Sequence, residues 1–202
     1  MTILGDEMLG ADVLDAVGAS RGRFRYESGH HGDLWLDLDG LFVDARRARG
    51  WAAVLAARAA ECRPDVVCGP LTGGAFVAQS VAAELGADFV FAERATSPEG
   101  AVRYRVPESL RGRVRGRRVL LVDDAINAGS ALLATLADLL ECGARPAGFA
   151  ALLTMGDAAE RTASYHGVPL FALASIERGM WAADACPLCA SGVPLTDPHA
   201  GR

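Results

Sequence analysis

The stretch Arg118-Val-Leu-Leu-Val-Asp-Asp-Ala-Ile-Asn-Ala-Gly-Ser-Ala-Leu-Leu133 decides the fold. Val119, Leu120, Leu121 and Val122 make an apolar run of the length of a strand buried on both faces, as in a parallel sheet covered by helices. Two carboxylates, Asp123 and Asp124, follow at once, and then a turn of small residues, Asn127-Ala-Gly-Ser130. Beyond the turn, Leu132, Leu133, Leu136, Leu139 and Leu140 recur at helical spacing and predict one apolar stripe, stopped at Gly143. Open α/β sheets bind ligands at the carboxyl edge of their strands. A turn of small residues lets backbone N–H groups approach a phosphate, and the helix start behind it adds partial positive charge. Adjacent acids can accept hydrogen bonds from sugar hydroxyls, or hold a hard cation through water. Phosphate, ribose and magnesium together describe a phosphorylated sugar. The plainer alternative is a solvated Asp-Asp in an ordinary βα turn; the strand, turn and helix in register speak against it.

Composition sets the outer bounds. A chain of 202 residues with 51% hydrophobic and 22% charged residues suits one soluble globular domain with a real core. No apolar run is long enough to predict a spanning helix, and Asp6 and Glu7 stand where a secretory signal would be basic, so a cytoplasmic protein is expected. The net charge of −5 argues against a general nucleic-acid binder. All 20 basic residues are arginine, so no step here can use a lysine. The five cysteines, odd in number, suit free thiols in a reducing compartment.

Upstream, residues 6–17 read as a helix ending near Gly18, and Arg23–Tyr26 and Leu34–Leu38 as short strands around the turn Glu27-Ser-Gly-His-His-Gly-Asp33. Asp44 is placed to cap a helix from Ala45 to about Glu61, with Trp51, Val54 and Leu55 inward. Asp65–Cys68 reads as a strand, followed by a Gly-Pro turn, the Gly73-Gly74 pair and a helix holding Phe76, Val77, Val81 and Leu85. Ala87–Ala92 is the next strand. Glu93 and Arg94 then open a Pro-, Gly- and Ser-marked loop that runs to Arg103 and Arg105. Arg111, Arg113, Arg115, Arg117 and Arg118 read as a solvated basic approach. Downstream, Pro146–Thr154 is a buried strand, residues 156–166 a helix, and Leu170–Ser175 a last strand.

The segment Val119–Ala131, with its hydrophobic strand, paired acids and Gly-Ser four residues on, resembles the phosphoribosyl-pyrophosphate (PRPP) motif of type I phosphoribosyltransferases. Its Val-Asp-Asp-Ala-Ile-Asn-Ala-Gly-Ser wording is most similar to the orotate phosphoribosyltransferase branch. The resemblance spans roughly Phe24–Ser175. It implies an α/β fold, a mostly parallel sheet flanked by helices, in a single domain over residues 1–202, with a core of about 41–175 and a small hood built from about 1–40 and the C-terminal tail. The implied reaction moves 5-phosphoribosyl from PRPP to a nitrogen base and releases pyrophosphate, with Mg²⁺ neutralising the leaving group, in a homodimer that shares a mobile loop.

Residue by residue, the resemblance puts Asp123 and Asp124 on the ribose hydroxyls and Ala125, Ile126, Asn127, Ala128, Gly129 and Ser130 around the 5-phosphate. Thr72, Gly73 and Gly74, after Leu71, match a pyrophosphate loop that often contains a non-prolyl cis peptide. Arg94 matches a family arginine at the start of the mobile loop. The family's catalytic lysine there has no match, and Arg103 and Arg105 are the candidate substitutes, a solvated hairpin being the alternative. Ser28 and Gly29 match a family Ser-Gly turn between two hood strands near the base site. His31 is the candidate for a basic contact to PRPP, with two exposed turn histidines as the plainer reading. Orotate enzymes usually carry Asp-Arg where this chain has Thr154-Met155, so Met155 at the base site would disfavour orotate. A rival reading is a non-catalytic PRPP sensor, and another a transferase for a different base. In the tail, Cys186-Pro-Leu-Cys189 resembles half of a zinc knuckle; His199, His166 or a second copy would have to complete the ligand set.

Overall fold

The computed structural model describes residues 3–26, 29–96 and 102–197. Its larger sheet has six strands in the order β5-β4-β3-β6-β7-β8. The acid-bearing strand, β6 (Arg118–Ile126), lies inside it, between β3 (Val66–Pro70) and β7 (Arg145–Met155). Beyond them run β4 (Asp88–Thr96) and β8 (Leu170–Ile176), parallel like their neighbours, and β5 (Val102–Arg105) closes the edge antiparallel to β4. Val119–Val122 are buried throughout, which explains a strand written without polar alternation.

One face of this sheet is covered by α1 (Ile3–Ala16), α2 (Ala45–Ala59) and α3 (Gly73–Leu85), around Trp51, Leu55, Val77 and Val81. Asp44 caps α2 by accepting from Arg46 N at 3.0 Å and Arg47 N at 3.2 Å. The other face carries α5 (Ser130–Glu141) and α6 (Ala158–His166), around Leu132, Leu136, Leu139 and Phe149. Each fully buried side chain of this kind contributes about 1.5–3 kcal/mol.

The stripe on α5 is narrower than its leucines predict. Leu133 and Leu140 are 44% and 45% exposed, and the buried face holds Thr135 and Asp138 instead. Asp138 goes inside because it is satisfied there: it accepts from Val106 N at 2.8 Å and pairs with Arg111 Nη1 at 3.1 Å. That pair ties α5 to α4 (Glu108–Val114). On α3, Phe76 is 51% exposed and packs edge-on against Phe42. The arginine run is not merely solvated. Arg117 pairs with Asp88 at 2.5 Å and Arg118 Nη2 donates to Cys62 O at 2.7 Å, bracing the sheet end opposite the acids.

The smaller sheet has the order β10-β1-β2-β9. Its centre is the antiparallel pair β1 (Gly18–Arg25) and β2 (His31–Asp37). The chain returns from its other end to add β9 (Met180–Trp181) beside β2 and β10 (Leu195–Thr196) beside β1, with the one-turn helix α7 (Pro187–Ala190) between them. No helix among the described residues is long and apolar enough to cross a membrane.

Candidate active site

β6 delivers both acids to the carboxyl edge of the larger sheet. Asp123 is buried and Asp124 half-buried. Asp124 N donates to Asp123 Oδ1 at 3.0 Å and Ala125 N to Asp124 Oδ1 at 2.9 Å, and the two carboxyls also hydrogen-bond each other. Burial, and then the charge of Asp124, holds the Asp123 carboxyl well above the usual carboxylate range, and burial raises Asp124 as well. Both groups are under-satisfied as anions, so hydroxyl donors from a ligand would relieve a standing cost.

The loop after β3 packs directly against them. Its Leu71–Thr72 peptide is cis. A Cβ on Gly73 would overlap Asp124 Oδ2, and one on Gly74 would stand 2.5 Å from Asp123 Oδ1. The two glycines are thus required by the close approach of this loop to the acids. Between them lies a cavity of about 190 Å³, lined by Thr72, Gly73, Gly74, Asp123 and Asp124, and by Tyr104 of β5.

On the other side of Asp123 a second cavity, of about 360 Å³, follows the turn from Ala125 to Leu132. Gly129 takes φ +77°, the left-handed conformation that only glycine adopts freely, and opens α5. No side chain caps that helix, so its first N–H groups remain free donors at the cavity. Asn127 Oδ1 is buried there without a hydrogen-bond partner. The small sheet supplies the opposite wall with Tyr26 and Trp35. Tyr26 is pinned by its hydroxyl donating to Leu34 O at 2.6 Å. An anion-accepting turn, a pair of buried acids and a glycine loop therefore share one cleft.

Residues 44–169 match the phosphoribosyl transferase domain family model. The chain belongs to this phosphoribosyltransferase family. Among curated relatives, the orotate phosphoribosyltransferase of Heliobacterium modesticaldum is 32% identical over 181 residues, covering 88% of this chain and 88% of the relative. The one from Caldanaerobacter subterraneus is 27% identical over 179 residues, 89% of each. Among solved structures, Mycobacterium tuberculosis orotate phosphoribosyltransferase in complex with inorganic phosphate aligns with a TM-score of 0.62 at 19% identity, covering 84% of this chain and 95% of that one. Rhodothermus marinus adenine phosphoribosyltransferase aligns with a TM-score of 0.66 at 17% identity, covering 84% and 99%. Structures named for different bases fit equally well, so the shared fold does not choose the base.

In this phosphoribosyltransferase the sequence-predicted residues divide sharply. Asp123, Asp124, the turn to Ser130, and Thr72, Gly73 and Gly74 come together as described. The stretch after Glu93 is a hairpin more than a loop: β4 runs on to Thr96 and pairs with β5, with only residues 97–101 outside the description. Arg94 stands opposite Tyr104 in that pairing, so the two share a face, and Tyr104 lines the acid cavity. Arg103 and Arg105 point the other way. They line a separate hollow beside α5, with Tyr104, Ala137 and Asp138, and neither they nor Arg94 line the cavities at Asp123.

His31 is also elsewhere than expected. It is buried at the start of β2, with Nδ1 3.2 Å from Cys189 Sγ, and lines neither cavity. Met155 is the last residue of β7; it is buried and belongs to the core cluster that holds Leu173 and Val13. Gly29 takes φ +79° in a turn closed by Tyr26 N donating to His30 O, and Ser28 lies outside the described residues. His166 stacks edge-on with Phe149 and Tyr165, far from the cysteine pair in the fold, and His199 lies outside the described residues.

Two residues went unnoticed in the sequence. Tyr104 sits between arginines that drew the attention. Arg178 follows β8, with its Nε buried and unpartnered, and its charge draws down the Tyr26 hydroxyl that burial pushes up. Nothing local in Glu177-Arg-Gly marks it; only the return of the chain to the small sheet brings it there.

Proposed function

We propose that this chain transfers 5-phosphoribosyl from PRPP to a nitrogen base, with orotate as the base. The observation that carries the reading is the pair of buried acids between an uncapped helix start and a glycine loop that leaves no room for side chains. Asp123 and Asp124 accept hydrogen bonds from the ribose hydroxyls. The N–H groups from Ala125 to Ser130 hold the 5-phosphate, and those of Thr72 to Gly74 meet the pyrophosphate. Mg²⁺, arriving with PRPP, would neutralise pyrophosphate oxygens beside Asp123 and Asp124. The base nitrogen attacks the ribose C1 as the C1–O bond to pyrophosphate breaks; the bonding pair leaves with pyrophosphate, and the proton of the base nitrogen passes to solvent. Negative charge grows on the leaving group, so cations there favour the transition state over the ground state. Arg94, on the site-facing side of the hairpin with Tyr104, supplies that charge. Arg103 and Arg105 serve the reaction only from a neighbouring copy, in a homodimer whose hairpin is shared.

Orotate is favoured by the names of the curated relatives, and Arg178, whose charge acts on Tyr26, is the candidate cation for its carboxylate. The sensor reading rests on the absence of lysine. One experiment separates them: purified chain with Mg²⁺ and PRPP, offered orotate, uracil, adenine and hypoxanthine, and read by pyrophosphate release. Release that depends on orotate supports the reading. Release with another base moves the substrate. Tight PRPP binding with no release on any base establishes the sensor.

A further inference from the structure

We propose that His31, Cys186 and Cys189 form a zinc site that staples the C-terminal segment to the β1–β2 hairpin. The ligand atoms of all three lie within 4.8 Å of one another. Zinc bound tetrahedrally, with Zn–S of about 2.3 Å and Zn–N of about 2.0 Å, sets neighbouring ligand atoms about 3.5 Å apart, so the cluster needs only small adjustments to close on the ion. Two thiolates balance the ion's charge, and a soft thiolate–imidazole set selects zinc over magnesium or calcium. The fourth position is left to solvent.

Each ligand is held in place independently. His31 is only 8% exposed, and its backbone pairs with Arg25 on one side and Trp181 on the other. Cys186 is 4% exposed and starts α7, where its carbonyl accepts from Cys189 N at 3.1 Å and Ala190 N at 3.3 Å, folding the Cys-x-x-Cys segment into a tight turn.

The smaller sheet gives such a staple its purpose. Its outer strands β9 and β10 are two residues each, too short to hold the chain's return by ladder hydrogen bonds alone. The cysteines sit between them, and His31 is 158 positions from Cys189. A metal there closes a very long loop and fixes the hairpin that carries Tyr26 and Trp35 over the larger cavity. The inference does not depend on the proposed reaction.

The test uses the full, untagged chain, purified without chelator from zinc-supplemented cells. Metal analysis should find about one zinc per chain, removed by chelator with a fall in melting temperature. Replacing the ion with Co²⁺ should produce a thiolate-to-cobalt charge-transfer band and tetrahedral d–d bands. His31→Gln should shift the d–d bands while the charge-transfer band stays. It should also weaken zinc by more than the roughly tenfold that loss of an outer hydrogen-bond partner costs. Cys186→Ser should reduce the charge-transfer band. Wild type that retains no zinc after incubation with excess ion, with both thiols free to titrate, would overturn the site. So would a Cys186–Cys189 disulfide in protein kept anaerobic, or zinc affinity unchanged in His31→Gln.

Discussion

The two sheets meet at the cleft, and they are assembled by different rules. In the larger one, β3, β6 and β7 are each followed by a helix, at short range in the chain, and each strand is built on a buried apolar run. In the smaller one, the outer strands come from the opposite end of the chain, and the central pair breaks register between Arg21 and Phe24. The larger sheet contributes the fixed chemistry, acids and N–H donors at strand ends. The smaller contributes a wall, Tyr26 and Trp35, whose position depends on distant partners. One site can thus have a floor set by local packing and a roof set by long-range closure, and perturbations should tell them apart.

The largest effect is expected in the floor. Gly74→Val drives a branched side chain into Asp123 and Pro70, so Mg²⁺–PRPP binding should fall by at least about a hundredfold, or 2.7 kcal/mol, in calorimetry on a protein that is still folded by circular dichroism. Wild-type affinity would mean that the glycine loop and the acids are not one site. Next comes the brace beneath the hairpin. Asp138→Ala strands Val106 N–H and Arg111, and since Arg111 keeps some contact with water the cost should be about 2–3 kcal/mol in urea unfolding. An unchanged midpoint would show that Asp138 is not a structural anchor.

The hairpin itself is tested face by face. Arg94→Ala should slow pyrophosphate release by about tenfold, a 1.4 kcal/mol loss, with a smaller change in PRPP affinity. Arg103→Ala should match it only if a neighbouring copy donates the hairpin, which mixing Arg103→Ala and Asp124→Asn chains would reveal as regained activity. Equal losses with no regain would place both faces in one chain's site and break the facing argument.

The smallest effect is on stability, and its sign is opposite to that on function. With its folded pKa raised, Asp123 holds a proton in the native state that it releases on unfolding. Its contribution therefore favours the fold at low pH and is lost as pH climbs from the ordinary carboxylate value of 3.8 through the raised one. Asp123→Asn should flatten that decline and make the unliganded protein more heat-stable at neutral pH. A variant less stable than wild type there would show that the buried charge is better compensated than its partners indicate.

What was legible in the sequence follows the same division. Val119–Val122, the acids, the small turn and Gly143 announce themselves because strand, turn and helix are each a local pattern. The Leu71–Thr72 loop was readable through its Gly pair. Leu133 and Leu140 misled because a leucine at helical spacing gives no sign of whether a better-satisfied Asp138 will take the inner face. For Arg103 and Arg105 charge was visible, while the strand register, which puts Arg94 on the face of Tyr104 and those two on the other, was not. His31 and Arg178 were out of reach, since their neighbours arrive from the far end of the chain.

The central claim is that Asp123 and Asp124 grip the ribose of PRPP. Its most direct measurement is calorimetric titration of Mg²⁺–PRPP into the Asp123→Asn/Asp124→Asn double variant, which preserves size and removes charge. Binding weakened by at least about tenfold, in a protein as heat-stable as wild type or more so, is the predicted result. Unchanged affinity in that folded variant would contradict the site.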